Sequence, residues 1–304
     1  MTSSVIEVRA VSKRFGTTRA VDCVDLSVNQ GEVLGLIGPN GAGKTTLFKL
    51  MLGLLPATAG EINVCGEPVR GKAFRRVRRS IGYLPESVAL YDNLSGLETM
   101  LFFARLKGAD VSSCPALLDK VGLADVARRT VGGYSKGMKQ RLAFAQALLG
   151  APRILFLDEP ANGLDPQGIR EFYLILRQLR EDGVTAILSS HILAEIQQRV
   201  DRLALMKAGK IQALGTLQDL REESNLPLAI QVKLHNGAEG ALRRVLSDLP
   251  AIRVTGSIAY LQCKRSQKMT VLSALSGLGP DVLDIHIEEP SLEDIFLGRT
   301  DPGP

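Results

Sequence analysis

The chain has 304 residues, of which 45% are hydrophobic and 23% charged, an ordinary composition for a globular protein with a sizeable core. It contains no run of about 18 uncharged apolar residues, which excludes a membrane-spanning helix, and its N-terminus lacks the layout of a secretion signal. The net charge of +5 is mild, and four widely spaced cysteines without a C-x-x-C pair indicate reduced structural thiols rather than a metal site. We therefore expect a cytoplasmic protein.

Two kinds of strand pattern are present. Apolar and polar residues alternate in three segments, which predicts half-buried antiparallel strands at 6–11, 24–28 and 61–64. Continuous apolar runs, typical of parallel strands covered on both faces, occur at 34–37, 154–157 and 186–188. Helical stretches separate these runs, so the predicted core is α/β with a parallel sheet and an antiparallel β subdomain.

A glycine-rich loop follows the first apolar run and leads into a helix. Its residues are Gly38-Pro39-Asn40-Gly41-Ala42-Gly43-Lys44-Thr45-Thr46. Glycines let successive backbone N–H groups turn toward one centre and hold phosphate oxygens at a helix N-terminus. Lys44 is placed to reach the β- and γ-phosphates, and the Thr45 hydroxyl to bind Mg²⁺. The loop predicts binding of a nucleoside triphosphate.

The densest basic cluster is Arg75-Arg76-Val77-Arg78-Arg79. One interpretation is a surface for nucleic acid or for anionic lipid headgroups. The other is a solvated helix face just ahead of the next strand. No aromatic residues alternate with these arginines to stack on bases, which weakens the nucleic-acid interpretation.

Residues 87–150 have a helical pattern and form a predicted insertion. Ser95 and Glu98 have the spacing of a capping box at the start of one helix, and a second helix begins near Ser135 and runs through Leu149. Ser135, Lys136 and Gly137 at that helix start could offer a hydroxyl, N–H groups and the helix dipole to a phosphate. The alternative is a plain helix cap.

An acidic pair ends the apolar run at 154–157. Asp158 is placed to hold Mg²⁺, either directly or through water, and Glu159 to polarise the water that attacks the γ-phosphate. Carboxylates at strand ends are often simply solvated, but a complete phosphate loop earlier in the chain favours the functional interpretation.

A polar, proline-ended segment at 222–227 predicts a domain boundary, after two short strands at 202–207 and 211–215. Residues 1–222 are the predicted large domain and 228–304 a small one. The small domain has the order strand, helix, strand, strand, helix, strand, which predicts a split βαβ domain of ferredoxin-like type. It could sense a solute, aid dimerisation or cap the fold.

The chain resembles the ATP-binding subunits of ABC transporters across about residues 4–220. The matching set is the phosphate loop 38–46, the signature motif Tyr134-Ser135-Lys136-Gly137-Met138, the pair Asp158-Glu159, Gly163-Leu164-Asp165, and His191. No N-K-x-D base-recognition motif is present, which excludes a GTPase.

The resemblance implies an ATPase that uses ATP and Mg²⁺ and works as a head-to-tail homodimer. The signature motif of one copy, with Asp165, would close on the ATP held by the phosphate loop of the other. His191 would contact the γ-phosphate and hold the attacking water with Glu159, while Lys44 binds the phosphates. Phe15 would stack on adenine, although simple core packing is the alternative.

The metal set that the resemblance implies is Thr45, Asp158 and Glu86. Glu86 stands where the family usually has a glutamine, so an extra negative charge is expected beside Asp158 and the phosphates.

The resemblance also implies an integral-membrane permease as partner, with the chain peripheral at the cytoplasmic face of the inner membrane. The Y-S-K-G-M signature, Tyr83-Leu84-Pro85-Glu86, 103–108 and the tail 290–294 are similar to the ABC-2 exporter type. Segments 86–91 and 94–99 are most similar to the ATPase subunit needed to mature nitrous oxide reductase, which works with a permease and a periplasmic protein to supply a copper–sulfur centre. The alternative is another ABC-2 exporter of drugs, lipids or polysaccharides.

A hypothesis from another class is a soluble ABC ATPase that acts on DNA or ribosomes. Tandem nucleotide domains and long coiled-coil insertions are typical of such proteins, and the sequence has neither. We therefore expect no nucleic-acid partner.

Overall fold

The computed structural model of the protein describes residues 4–223, 226–246 and 252–289. The chain separates into two compact units, Met1–Leu214 and Gly215–Pro304. The boundary expected from the sequence, 222–228, lies slightly later, and residues 224 and 225 within it are outside the described residues. The tail segment 290–294 is also outside them.

Strands and helices alternate through most of the first unit. Its strands are β1 Ser4–Phe15, β2 Thr18–Asn29, β3 Val33–Ile37, β4 Ala59–Val64, β5 Glu67–Pro68, β6 Ile81–Leu84, β7 Ile154–Leu157, β8 Thr185–Ser190, β9 Arg202–Lys207 and β10 Lys210–Gly215. Its helices are α1 Lys44–Met51, α2 Phe74–Arg79, α3 Gly96–Lys107, α4 Cys114–Lys120, α5 Lys136–Leu148, α6 Pro166–Glu181 and α7 Leu193–Ile196.

Two sheets organise this unit. One is antiparallel with the order β2-β1-β4-β5, and the other has the order β10-β9-β3-β8-β7-β6. In the second sheet β9, β3, β8, β7 and β6 run parallel. Every residue of β3, β7 and β8 is buried, as parallel strands covered on both faces require. The α/β fold expected from the apolar runs is confirmed.

The main core contains residues of both sheets and of helix α1. The rings of Phe48 in α1 and Phe156 in β7 meet edge to face, with centroids 5.6 Å apart, and both are fully buried. This contact sets the phosphate-loop helix against β7, the strand that ends immediately before Asp158. The core therefore brings the helix that follows the phosphate loop next to the strand that precedes the acidic pair.

The antiparallel strands are longer than the sequence pattern predicts. The β1–β2 register shifts between Val8 and Val11, and Ala10 and Cys23 have positive φ angles of 47° and 52°. A bulge of this kind inserts an extra residue and breaks the period of two, although pairing continues beyond it. The expected segment 6–11 therefore ends too early, at Val11 rather than Phe15, and the expected segment 24–28 begins too late, at Val24 rather than Thr18.

The second unit contains α8 Leu217–Glu223, β11 Leu228–Leu234, α9 Glu239–Val245, β12 Ile252–Thr255, β13 Ile258–Cys263, α10 Lys268–Ser276 and β14 Val282–Glu288. Its sheet has the order β12-β13-β11-β14 with antiparallel neighbours. This is the expected split βαβ arrangement, over its own hydrophobic core. The helix expected over 238–247 reaches residue 247, which lies outside the described residues.

Helix α3 begins with the expected capping box. The Ser95 hydroxyl accepts a hydrogen bond from the Glu98 N–H at 3.2 Å, and the Ser95 N–H donates to Glu98 Oε2 at 2.8 Å. The hydroxyl also donates to Oε2 at 2.6 Å. The side-chain hydrogen bond and then the backbone one lower the pKa of Glu98 below its ordinary value of 4.5.

We expect Ser95→Ala to destabilise the first unit by about 1 kcal/mol at neutral pH, because the cap is lost. A carboxylate with a lowered pKa contributes stability that is lost as the pH falls through that pKa. The variant lacks this contribution, so its free energy of unfolding should fall less than that of the parent as the pH is lowered. Urea unfolding at neutral and mildly acidic pH measures both effects. The exposed helix residue Ser273 gives a control, Ser273→Ala. An NMR titration in which Glu98 keeps its low pKa in the Ser95 variant would contradict the prediction.

Among the described residues, the structure contains no helix with both the length and the apolar character needed to cross a bilayer.

Candidate active site

The phosphate loop runs from the end of β3 at Ile37 to the start of α1 at Lys44. The N-cap of α1 is Gly43, whose φ of 106° is readily adopted only by glycine. Glycine has no side chain that could accept from the first N–H groups of the helix. Those groups and the positive end of the helix dipole are therefore available to an anion.

Two glycines of the loop lie where no larger residue fits. A Cβ atom on Gly38 would lie 2.1 Å from the Met206 carbonyl oxygen in β9, and one on Gly43 would lie 2.2 Å from the Ala20 carbonyl oxygen. At Gly41, by contrast, a Cβ atom would meet nothing within 4 Å, although φ is 79°. Close backbone packing behind the loop thus requires glycine at Gly38 and Gly43, while the front remains open.

The open side of the loop forms a pocket of about 260 Å³. Its lining residues are Ala20, Asn40, Gly41, Ala42, Gly43, Lys44, Thr45, Thr46, Glu86 and Glu159. Most of the predicted phosphate-loop residues therefore share one pocket with two of the predicted carboxylates. Pro39 is an exposed residue of the same loop, and Gly38 is buried behind it.

The three predicted catalytic residues come together at this pocket. Lys44 is buried, its ammonium donates to the Gly38 carbonyl oxygen at 2.6 Å, and it lies 3.4 Å from Glu159 Oε1. The other carboxylate oxygen, Oε2, lies 2.8 Å from Nδ1 of His191. Glu159 is thus held between a fixed cation and an imidazole, each contributed by a different element.

The backbone at Glu159 is in an unusual conformation. Its φ of 50° lies in the left-handed region, which costs a residue with a Cβ atom on the order of 1 kcal/mol. Its N–H donates to the Ser189 hydroxyl at 2.9 Å. This bond to β8 secures the turn that follows β7 and directs the Glu159 carboxylate into the pocket.

Asp158 has one satisfied and one unsatisfied oxygen. Its Oδ1 accepts from the Ser189 hydroxyl at 2.6 Å, while Oδ2 is buried and has no hydrogen-bond partner among the described residues. An unpaired buried carboxylate oxygen is costly, and a divalent cation or a water bound to one would satisfy it. Asp158 therefore fits a magnesium site. Of the other two predicted metal ligands, Thr45 and Glu86 both line the pocket, while Asp158 is not among its described lining residues.

The pKa of Tyr83, in β6, is affected by the negative charge of this region. Burial, together with the carboxylates of Asp158 and Glu86, raises the pKa of Tyr83 to about 12. The phenol therefore stays neutral at physiological pH. Since Glu86 and Glu159 both line the pocket, a cation is needed to balance carboxylates and phosphates there.

Neither Ser189 nor Tyr83 was assigned a role in the site from the sequence alone. A signal was available for Ser189, because it is a polar residue in the wholly buried strand β8 and must find a hydrogen-bond partner there. No sequence pattern identifies which groups the Ser189 hydroxyl bonds. The structure shows that the Ser189 hydroxyl bonds both the Asp158 carboxylate and the backbone N–H of Glu159.

Replacing Ser189 with alanine should lower the hydrolysis rate about tenfold and raise the Mg²⁺ concentration needed for half-maximal rate. The variant leaves Asp158 Oδ1 and the Glu159 N–H without their partner, which also costs about 1–3 kcal/mol of stability. A Mg²⁺ titration of the rate and a thermal melt measure these effects. The control is Ser190→Ala, because within the described residues the Ser190 hydroxyl bonds only the nearby backbone of Ile192. Equal effects of the two substitutions would contradict the prediction.

The signature motif lies at the start of α5, where the Ser135 hydroxyl accepts from the Met138 N–H at 3.2 Å. The motif packs against the loop at Gly163. A Cβ atom on Gly137 would lie 3.0 Å from the Gly163 carbonyl oxygen, and one on Gly163 would lie 2.8 Å from three carbons of Lys136. The Lys136 stem thus covers Gly163, and the two loops form one surface.

Asp165 and Phe15 also lie away from the pocket lining. The Asp165 carboxylate caps α6 by accepting from the Gly168 N–H at 2.7 Å. Phe15 ends β1 with 48% of its surface exposed, so its ring is not packed in the core. Among the described residues that line the pocket, none comes from 135–137, and neither Phe15 nor Asp165 is included. A single copy therefore assembles only part of the predicted site.

The comparisons with known proteins agree on one family. The sequence profile described as "ABC transporter" matches residues 21–162. The chain is 37% identical to the daunorubicin resistance ATP-binding protein DrrA3 of Streptomyces coeruleorubidus, over 99% of the chain and 97% of that protein. It is 36% identical to the bacitracin transport ATP-binding protein BcrA of Bacillus licheniformis, over 97% of each.

Solved structures show the same fold. The ATP-binding subunit of an ABC transporter superimposes with a TM-score of 0.66 at 31% identity, over 72% of the chain and 93% of that subunit. The ATP-binding cassette MJ0796, a dimer in a post-hydrolysis state bound to ADP and Pi, superimposes with a TM-score of 0.65 at 25% identity, over 70% of the chain and 98% of the cassette.

Proposed function

The chain belongs to the family of ABC transporter ATP-binding proteins, which are ATPases, and we propose that it is the motor subunit of an ABC-2 type exporter. The observation that supports this best is the placement of Glu159. Its carboxylate is buried beside the phosphate-loop lysine and bonded to His191. That is where a water attacking a terminal phosphate needs a base.

The proposed reaction is hydrolysis of ATP to ADP and phosphate. A water oxygen attacks the γ-phosphorus, the bond to the bridging β–γ oxygen breaks, and the water proton passes to Glu159. Lys44 exchanges its present oxygen partners for the phosphate oxygens, and His191 orients the water and the Glu159 carboxylate. Mg²⁺, held by Thr45 and Asp158 with Glu86 nearby, would neutralise phosphate charge when bound.

The active unit is proposed to be a homodimer. The signature residues 135–137 and Asp165 lie outside the pocket of their own copy, so a second copy in the opposite sense would supply them. Lys136 is exposed and its stem is supported by Gly163, which would hold its ammonium toward the partner's nucleotide. Phe15 is exposed and could cover the adenine ring.

A permease is the proposed membrane partner, at the cytoplasmic face. The groove lined by Leu94, Glu98, Leu101, Phe102, Arg105 and Leu106 is a candidate docking surface on α3. The exposed ring of Tyr91 contacts Phe102 edge to face at 5.7 Å beside it. Since Tyr91 follows closely after Glu86, movement at the pocket could pass to a permease helix there.

The experiment that tests the motor function combines sedimentation with co-purification. We expect ATP with Mg²⁺ to convert the purified chain from monomer to dimer, and ADP to reverse it. Co-expression with a candidate ABC-2 type permease from the same organism should yield a stable complex whose ATPase rate depends on both proteins. A chain that stays monomeric with ATP and recovers nucleic acid rather than a permease would refute the proposal.

Two cargo classes are proposed. Similarity over nearly the whole chain to DrrA3 and BcrA supports export of drug-like or antibiotic molecules. The segments 86–91 and 94–99 support maturation of nitrous oxide reductase, with a periplasmic accessory protein acting through the permease. Deleting the gene separates the two: loss of the copper–sulfur centre supports maturation, and increased drug sensitivity supports export.

A further inference from the structure

Residues 70–79 carry the positive charge by which the chain's basic residues outnumber its acidic ones. The basic residues of this segment are Arg70, Lys72, Arg75, Arg76, Arg78 and Arg79. No acidic residue occurs between Glu67 and Glu86. Without these six, the chain has 31 basic and 32 acidic residues, because its totals are 37 and 32. The segment therefore accounts for the whole net positive charge, and we call it the basic segment.

The fold presents this charge outward. Phe74 and Val77 of α2 are buried, while all six basic residues of the basic segment are exposed. The Arg78 guanidinium donates to the Gly53 carbonyl oxygen at 2.9 Å and lies 5.3 Å from the centroid of the Phe74 ring. The helix is therefore anchored by its apolar face and by one arginine, so the remaining charges stand on a fixed support.

These charges are not balanced within the protein. None of the ion pairs found among the described residues includes a member of the basic segment. Arg70 donates to the Ala57 carbonyl oxygen at 2.7 Å. The side chains of Lys72, Arg75, Arg76 and Arg79 make no hydrogen bond or ion pair within the described part of the chain, although some of their backbone groups bond within the helix and its entry turn. Elsewhere, arginines such as Arg180 pair with carboxylates. A cluster of like charges without internal partners favours an external polyanion.

We propose that the basic segment binds the anionic headgroups of membrane lipids. Each basic residue near an anionic leaflet adds attraction that falls off within a Debye length. Binding to nucleic acid is disfavoured, because the segment's one aromatic ring, Phe74, is 1% exposed and cannot stack on a base. The choice of a membrane rests on the proposed function, which places the protein beside a bilayer. The segment then orients the motor against the lipid surface next to its permease.

The test is vesicle co-sedimentation of the purified full-length chain without a permease. We expect binding to phosphatidylcholine vesicles that contain phosphatidylglycerol, and none to phosphatidylcholine alone. The triple variant Arg75→Gln, Arg76→Gln, Arg79→Gln should bind these vesicles on the order of 100-fold more weakly, because each lost charge weakens binding about fivefold. The corresponding triple lysine variant should bind nearly as well as the parent. Binding should also weaken steeply as salt is raised.

A matched control removes the same charge elsewhere. Arg128, Arg170 and Arg253 are exposed and have no ion pair among the described residues, so their triple glutamine variant should keep its vesicle binding. Both triple variants should melt and hydrolyse ATP like the parent, because none of these residues is in the active site. ATPase activity without vesicle binding would overturn this inference but not the motor function. Equal loss in both variants, or binding of RNA that depends on the basic segment while vesicles fail to bind, would also overturn it.

Discussion

Replacing Glu159 with glutamine should lower the steady-state ATPase rate at least 100-fold and leave ATP binding intact. Glutamine has nearly the same shape but cannot accept the proton of the attacking water, and removal of a general base costs about 10²–10⁴ in rate. The contacts of Lys44 with the Gly38 carbonyl oxygen do not depend on the carboxylate. We therefore expect ATP to accumulate unhydrolysed and the dimer to persist. Phosphate release and sedimentation with ATP measure the two effects.

His191→Ala and Glu195→Gln make this test specific. His191 contacts Glu159 through one ring nitrogen, so its loss should lower the rate about tenfold to 100-fold without lowering nucleotide affinity. Glu195 lies in the short helix α7 and has no assigned role, so its amide variant should behave like the parent. A Glu159→Gln variant with the parent rate would show that a different group activates the water.

Replacing Gly38 with alanine should abolish measurable ATP binding and destabilise the first unit by about 1–3 kcal/mol. The new methyl group would lie 2.1 Å from the Met206 carbonyl oxygen and 3.1 Å from the Ala42 Cβ atom, so the loop backbone must shift. The loop binds phosphate through backbone N–H groups that point toward one centre. A small shift of the backbone therefore misplaces several of these donors at once. Titration with a fluorescent ATP analogue and urea unfolding measure the two effects.

Gly41→Ala separates crowding from backbone strain. A Cβ atom at Gly41 has open space but must adopt a φ of 79°, so the expected cost is about 1 kcal/mol with a modest loss of affinity. If Gly41→Ala were as damaging as Gly38→Ala, close packing against β9 would not be the reason for the glycine at 38.

The lysine and the carboxylates of the pocket explain why the site needs both nucleotide and metal. Lys44 is the buried cation beside Glu159, while Asp158 has a buried oxygen without a partner among the described residues. Negative phosphates beside these carboxylates would be repelled unless Mg²⁺ entered with them. The arrangement therefore favours joint binding of ATP and Mg²⁺.

Much of the fold followed from local patterns. The five-residue strand β3 and the four-residue strand β7 are wholly buried runs, and their burial on both faces is visible in composition alone. The capping box at Ser95 and the strand order of the second unit were likewise predictable. The ends of β1 and β2 were not, because the bulges near Ala10 and Cys23 depend on pairing between strands.

The amino-acid sequence by itself determined the chemical groups of the site. Residue type and spacing are enough to identify a phosphate loop, two carboxylates after one strand and a histidine after another. Because parallel strands place their carboxyl ends at one edge of the sheet, these groups are expected near one another. The tertiary structure alone decided which atoms meet. The Ser189 hydroxyl bonds the Asp158 carboxylate and the Glu159 N–H, Glu159 lies between Lys44 and His191, and Lys136 covers Gly163. Such contacts join residues far apart in the chain, so they depend on packing and backbone direction that no local pattern encodes.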